Sequence, residues 1–310
     1  MQYTTAHGIR LPLFQLGTVQ LGMNYGITGQ AEKPSREYAF SMLDRALELG
    51  VDMLDTANNY GDSEAVIGEW LRTVDKARRP KIITKIGPLD HGSAAALRAD
   101  IRRQTEKCLE TLGVEKIDIL MLHYFNDLAP DFDTVTDEMH RLKSLGLIEK
   151  SAISLYTHDD YRLVAKSGLD AVQIPLNIFD LGKINDGGID ALADAGMMIF
   201  TRSVFLQGLV FMSEESLDAR MSFARPALAK LHGLCREFGM TPPVLAASFV
   251  RSVRGVTSLV LGCQRIPQIE ENCKMLDETR TLRADEMKKI HEAFDGIDPR
   301  VIDPRLWYNK

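Results

Sequence analysis

The chain has 310 residues, 45% hydrophobic and 26% charged, with a formal net charge of −6 and a pI near 5.7. This composition supports a large buried core, and the acidic balance without a basic run argues against a nucleic-acid or anionic-membrane partner. Cys108, Cys235, Cys263 and Cys273 show no CxxC spacing and are too few for a disulfide scaffold; with no signal-peptide pattern and no membrane-length apolar stretch, the expected location is the cytoplasm.

Along the chain, FQLGTV reads as a first strand, followed by a repeating unit of amphipathic helix, glycine and apolar strand. REYAFSMLDRALELG leads to VDMLDT, and KIITKIG follows at 81–87. RADIRRQTEKCLETLG leads to VEKIDILMLHY, DEMHRLKSLG to LIEKSAIS, DYRLVAKSG to LDAVQIPLN, and IDALADAG to MMIFTRS; VTSLVLG closes the series at 256–262. Gly50, Gly113, Gly146, Gly168 and Gly196 sit where helices end on a left-handed residue. Eight such strands, apolar on both faces, predict an α/β chain folded as a single (β/α)₈ TIM barrel. The expected domain covers 1–310, with the barrel in about 10–280, extra helices near 222–253 and 284–295, and a C-terminal helix and tail in 281–310 ending RVIDPRLWYNK. A doubly wound nucleotide fold is unsupported because no GxGxxG occurs, and no linker divides the chain.

In such a barrel, chemistry sits at the carboxyl ends of the strands. Those ends carry Thr18, Asp55, Lys85, His123, Ser154, Gln173 with Asn177, Arg202 and Gly262. Lys85 interrupts an apolar strand and needs a counter-charge, which Asp55 on the neighbouring strand supplies. Taken alone, that pair reads equally well as a structural ion pair. Tyr60, in the loop LDTANNYGDSE, brings a phenol to the same end, and an adjacent ammonium favours phenolate and draws its pKa toward neutrality. A tyrosine packed on the barrel rim is the blander alternative, as a hydrogen-bonded rim residue is for His123. Asp, Tyr, Lys and His together form a proton-transfer site rather than a metal site, since only two of them are good ligands.

LDTANNYGDSEAVIG, TKIG and DILMLHYFND resemble the signature segments of the aldo-keto reductase superfamily, and GTVQLG, QIPLN and LGCQRIPQIEEN resemble further segments in the same order. The resemblance covers about residues 10–280. It implies reversible hydride transfer between a nicotinamide cofactor, NADP(H) in preference to NAD(H), and a small aldehyde, ketone or sugar carbonyl. By this analogy Tyr60 is the general acid in reduction, Lys85 lowers its pKa, Asp55 holds Lys85, and His123 orients the carbonyl.

The same resemblance places Thr18 and Asp55 near the nicotinamide ribose and Ser154 and Gln173 at its carboxamide. Gly262 begins a turn into a helix whose N-terminus offers N–H groups to a phosphate, with Arg265 as the cation for a 2′-phosphate and Gln268, Glu271 and Asn272 on the adenine side. Arg202, followed by Ser203, stands where many relatives have an aromatic residue stacked on the nicotinamide; a guanidinium can stack there or meet an anionic group. Leu155 replaces an amide common in relatives, and Gln264 replaces a common Arg or Lys.

Two rival readings remain at this level. One is a cofactor-binding regulatory relative with little turnover; the other is a barrel lyase using Lys85 as a Schiff-base nucleophile, which requires a neutral lysine that Asp55 opposes. A metal-dependent hydrolase lacks HxH or HExxH spacing. Substrate choice is expected to lie in the segments 23–33, 124–133 and 204–225, the first of which resembles a subgroup found with sugar or polysaccharide genes. The sequence specifies no oligomeric state.

Overall fold

The computed structural model describes residues 1–24 and 33–307. Most of the expected substrate segment 23–33, namely 25–32, and the last three residues of the tail therefore lie outside the described residues.

A hairpin comes first, β1 (Tyr3–Ala6) paired antiparallel with β2 (Ile9–Pro12) across a turn at His7 and Gly8. Then follow the barrel strands β3 (Phe14–Gly17), β4 (Met53–Asp55), β5 (Lys81–Ile86), β6 (Ile117–Leu122), β7 (Ile148–Ser154), β8 (Ala171–Pro175), β9 (Met198–Arg202) and β10 (Val256–Gly262). They close in the order β10-β3-β4-β5-β6-β7-β8-β9, every pair parallel. The expected (β/α)₈ barrel is the observed fold.

Strand alternation sorts the side chains into an outer and an inner layer. Outward residues such as Leu16, Leu54, Ile82, Leu120, Ile153, Val172 and Ile199 pack under the helices in one large core. Inward residues Met53, Ile83, Ile119, Met121, Ala152, Ala171, Met198, Phe200 and Val260 fill the barrel, and Ile9 and Leu11 of the hairpin join them. The hairpin was not foreseen in the sequence; its two inward apolar residues make it part of the barrel's packing.

Helices form where capping and periodicity agree. Ser35 Oγ accepts from Tyr38 N at the start of the helix Arg36–Glu48, and Ser93 Oγ accepts from Ala96 N at the start of Ala94–Leu112. The five glycines expected at helix ends all take positive φ. Trp70 on the helix Ser63–Leu71 is buried with its indole N–H on Asp44 Oδ1 at 2.8 Å, tying that helix to Arg36–Glu48. One expectation changes in detail: DYRLVAKSG forms only one helical turn, Tyr161–Val164. The helices expected near 222–253 are Arg225–Phe238 and Pro242–Ser252, parted at Gly239 and the prolines. Among the described residues no helix is long and apolar enough to cross a membrane.

This frame fixes the polar residues of the barrel mouth. Asp55, Lys85, His123, Ser154, Gln173, Arg202 and Gly262 each lie two residues beyond an inward apolar residue, namely Met53, Ile83, Met121, Ala152, Ala171, Phe200 and Val260. The period of two turns the six side chains, with the Gly262 backbone beside them, toward the barrel axis at the carboxyl ends of their strands.

Candidate active site

Lys85 is fully buried, and an ammonium in that position must be paired. Its Nζ donates to Asp55 Oδ1 at 2.7 Å and to the Thr56 carbonyl at 2.9 Å. Asp55 Oδ2 accepts from Gln173 Nε2 at 2.8 Å, so the carboxylate is held from β5 on one side and from β8 across the barrel on the other. The Thr18 hydroxyl and backbone N–H both donate to the Asp55 carbonyl at 2.9 Å. Beneath them Thr56, Ser63 and Thr18 form a buried chain of hydroxyls. Burial pushes the Lys85 pKa down, but the attraction of Asp55 and Tyr60 outweighs it and leaves the ammonium held above the ordinary lysine value.

Tyr60 reaches over this pair. Lys85 Nζ is 5.1 Å from the centre of its ring, and His123 meets the same ring edge-on with centroids 5.7 Å apart. His123 also stacks on Tyr124 at 4.6 Å, and the Tyr124 hydroxyl accepts from Asn59 Nδ2 at 2.9 Å. Burial, then the nearby charges of Lys85 and Arg202, push the His123 pKa down to about 3, so the imidazole is neutral at ordinary pH. Its Nδ1 is buried and has no partner among the described residues.

Backbone packing sets the reach of Tyr60. The segment Gly17–Gly22 lies against the Tyr60 loop so closely that a Cβ on Gly22 would fall 1.8 Å from the Tyr60 carbonyl oxygen and 2.5 Å from Ser63 N. Gly61, at φ 58°, completes the contact, and a Cβ there would fall 2.2 Å from the Gly22 carbonyl oxygen. Only hydrogen at both positions permits two backbones to pass this close.

A cavity of ≈ 430 Å³ opens beside Tyr60. Its wall includes Thr18, Asp55, Gln173, Arg202, Ser203, Gly262 and Gln268 from the expected set, together with Gln20, Gln264, Phe205 and Phe211. Lys85, His123 and Ser154 are not part of that wall; Ser154 is buried opposite Gln173 in the β7–β8 register. Arg265 and Glu271 are exposed, and Asn272 turns its amide onto Cys263 Sγ at 3.3 Å; all three lie outside the wall.

At the expected phosphate site, the start of the helix Ile266–Asp277, several N–H groups already have partners: Ile266 N donates to the Tyr38 hydroxyl, Gln268 N to the Arg265 carbonyl, Gln264 N to Gln268 Oε1, and Pro267 has no N–H. Gln20 was missed in the sequence. Its amide packs against Gly262, and its Oε1 is buried at the cavity wall with no partner among the described residues; the only signal was a polar residue inside GTVQLG.

The profile of the aldo/keto reductase family matches residues 14–295. The chain belongs to the aldo/keto reductase family. Its curated relatives include the L-glyceraldehyde 3-phosphate reductase of Escherichia coli O157:H7, 25% identical, with 95% of this chain and 92% of that protein covered. Another is the NADH-specific methylglyoxal reductase of Escherichia coli K12, 24% identical over 93% of this chain and 97% of the relative. Among solved structures, the glycerol dehydrogenase AKR11B4 from Gluconobacter oxydans superposes with a TM-score of 0.77 over 97% of this chain and 98% of that one, at 21% identity. This aldo/keto reductase is thus an oxidoreductase by family, as the signature segments implied, and the barrel is the fold of its relatives.

Proposed function

We propose that the protein reduces an aldehyde, ketone or sugar carbonyl with NAD(P)H, reversibly, and that Tyr60 is the proton donor. The observation that carries this reading is one constellation: a fully buried Lys85, ion-paired to Asp55 at 2.7 Å, with its ammonium 5.1 Å from the Tyr60 ring centre at the cavity wall. A bound nicotinamide would supply the hydride to the carbonyl carbon. Tyr60 gives its phenolic proton to the carbonyl oxygen, and the Lys85 ammonium stabilises the phenolate left behind. Asp55, held by Gln173 and by Lys85, keeps that ammonium in place. The neutral His123 donates an N–H that orients and polarises the carbonyl.

The wall residues suit the cofactor. Gln173, Gln20 and Ser203 offer amide and hydroxyl groups for the nicotinamide end, and Gln20 Oε1, which has no partner among the described residues, is an acceptor a ligand N–H can meet. Arg265, exposed at the start of Ile266–Asp277 and in no ion pair among the described residues, supports NADP(H) through its 2′-phosphate. Neutral Gln264 and the occupied N–H groups of that helix favour NAD(H), and one relative is named as NADH-specific. Our assignment is NADP(H), on the strength of this cation, which has no ion-pair partner among the described residues. The relatives named for glyceraldehyde 3-phosphate and methylglyoxal reduction support a small carbonyl substrate, a sugar derivative among them. The barrel lyase is disfavoured because Asp55 holds Lys85 protonated.

Fluorescence titration with NADPH and NADH, followed by a carbonyl panel with the tighter cofactor, tests this reading. Saturable binding with turnover is expected. Binding without turnover on any carbonyl would favour the regulatory alternative, and borohydride trapping of a substrate on Lys85 would favour the lyase.

A further inference from the structure

Arg202 is the last residue of β9, two beyond the inward Phe200, so its side chain enters the barrel mouth. It is partly buried and lines the same cavity as Tyr60. Its Nη2 donates to the Leu155 carbonyl at 3.0 Å, and its Cζ lies 4.7 Å from the centre of the Tyr156 ring. A guanidinium carries five N–H donors, and these contacts engage one of them and one face. Among the described residues no carboxylate forms an ion pair with it. Lys85 is cancelled by Asp55 and His123 is neutral, so among the described residues Arg202 leaves this wall with a net positive charge on a chain whose total is −6.

The surroundings hold that charge in one place. Immediately after it, Ser203, Leu206 and Gln207 take φ of 63°, 45° and 51°, a conformation that costs non-glycine residues of order 1–3 kcal/mol each and persists only where the packing imposes it. Phe205 and Phe211, edge-to-face at 5.0 Å, give the wall an apolar partner surface. The guanidinium leans across β8 toward Leu155 and Tyr156, which follow β7. That is away from β10 and the helix Ile266–Asp277, where a cofactor phosphate would lie.

We infer that Arg202 selects a carbonyl substrate bearing an anionic group, a carboxylate or a phosphate, near the carbonyl that Tyr60 protonates. The inference rests on the proposed reductase reading and names its substrate class. A planar fork of N–H donors on a partly buried side chain recognises either anion, and a neutral substrate leaves it unsatisfied.

The test compares kcat/KM within two matched pairs, succinic semialdehyde against butanal and glycolaldehyde phosphate against glycolaldehyde. The wild-type enzyme should prefer the anion in at least one pair by about 10-fold or more, the scale of a charge-assisted hydrogen bond. The pair that responds tells carboxylate from phosphate. Arg202→Gln should bring that ratio near one and Arg202→Lys should restore part of it. A purely structural Arg202, bracing Leu155 and Tyr156, would lower activity on both members of a pair equally and leave the ratio intact. That result, or a wild-type ratio near one in both pairs, overturns the inference while leaving the reductase reading standing. Weaker cofactor binding in Arg202→Gln with an unchanged ratio overturns it as well, by assigning the guanidinium to the cofactor. If Arg202→Gln does not fold, the wild-type ratios and Arg202→Lys decide the matter. Turnover of no carbonyl at all sinks both proposals together.

Discussion

Lys85 Nζ donates to Asp55 Oδ1 at 2.7 Å with both groups shut away from solvent, the lysine completely. Such a pair balances attraction against desolvation, so removing one member strands the other charge. Lys85→Met should lower the unfolding free energy by about 3–5 kcal/mol, and adding Asp55→Asn to it should return part of the loss. Denaturant unfolding of the single and double variants measures this, and losses that simply add would show that the charges are uncoupled. Because folding raises the Lys85 pKa, its contribution is complete below the ordinary lysine value and is lost as pH rises through the raised one.

His123 carries the opposite sign. Folding lowers its pKa from the ordinary 6.5 to about 3. Between those values the unfolded chain binds a proton that the folded chain does not, so stability falls as pH drops across that window. His123→Gln should flatten part of this acid limb, and the imidazole proton shifts of wild-type enzyme should show no titration of this ring between pH 5 and 8. A His123 titration near its ordinary value would contradict the placement.

Gly22 supplies a steric test of how Tyr60 is placed. With only 1.8 Å between a Cβ there and the Tyr60 carbonyl oxygen, Gly22→Ala forces the two loops apart. We expect about 1–3 kcal/mol of destabilisation and a fall in turnover. Gly233→Ala is the control. In the helix Arg225–Phe238 its Cβ would come no nearer than 4.0 Å to a neighbour, and it should gain roughly 0.5–1 kcal/mol. Equal thermal shifts and unchanged activity in both variants would refute the clamp.

What the sequence made legible follows from period and cost. The helix-glycine-strand repeat located the strand ends that carry Asp55, Lys85, His123 and Gln173, the expense of burying Lys85 alone pointed to Asp55, and the structure brings Asp55, Lys85 and Gln173 into direct contact. The hairpin Tyr3–Pro12 escaped notice because each strand is only four residues long and the meaning of Ile9 and Leu11 depends on a barrel interior that only the closed fold creates. The positive φ of Ser203, Leu206 and Gln207 runs against local propensity and is imposed by tertiary packing. The Tyr38 hydroxyl on Ile266 N joins residues 228 apart in the chain, beyond any local pattern. Arg265 was read from proximity to a helix start, and proximity did not carry it onto the cavity wall.

The most direct test of the whole account is the Tyr60→Phe enzyme, which keeps the ring beside His123 and Lys85 and removes only the hydroxyl. Cofactor affinity, read by fluorescence titration, should stay nearly unchanged while kcat falls by about 10²-fold or more, the scale of acid–base assistance. Full turnover in Tyr60→Phe, with cofactor binding intact, would contradict the assignment of Tyr60 as the proton donor.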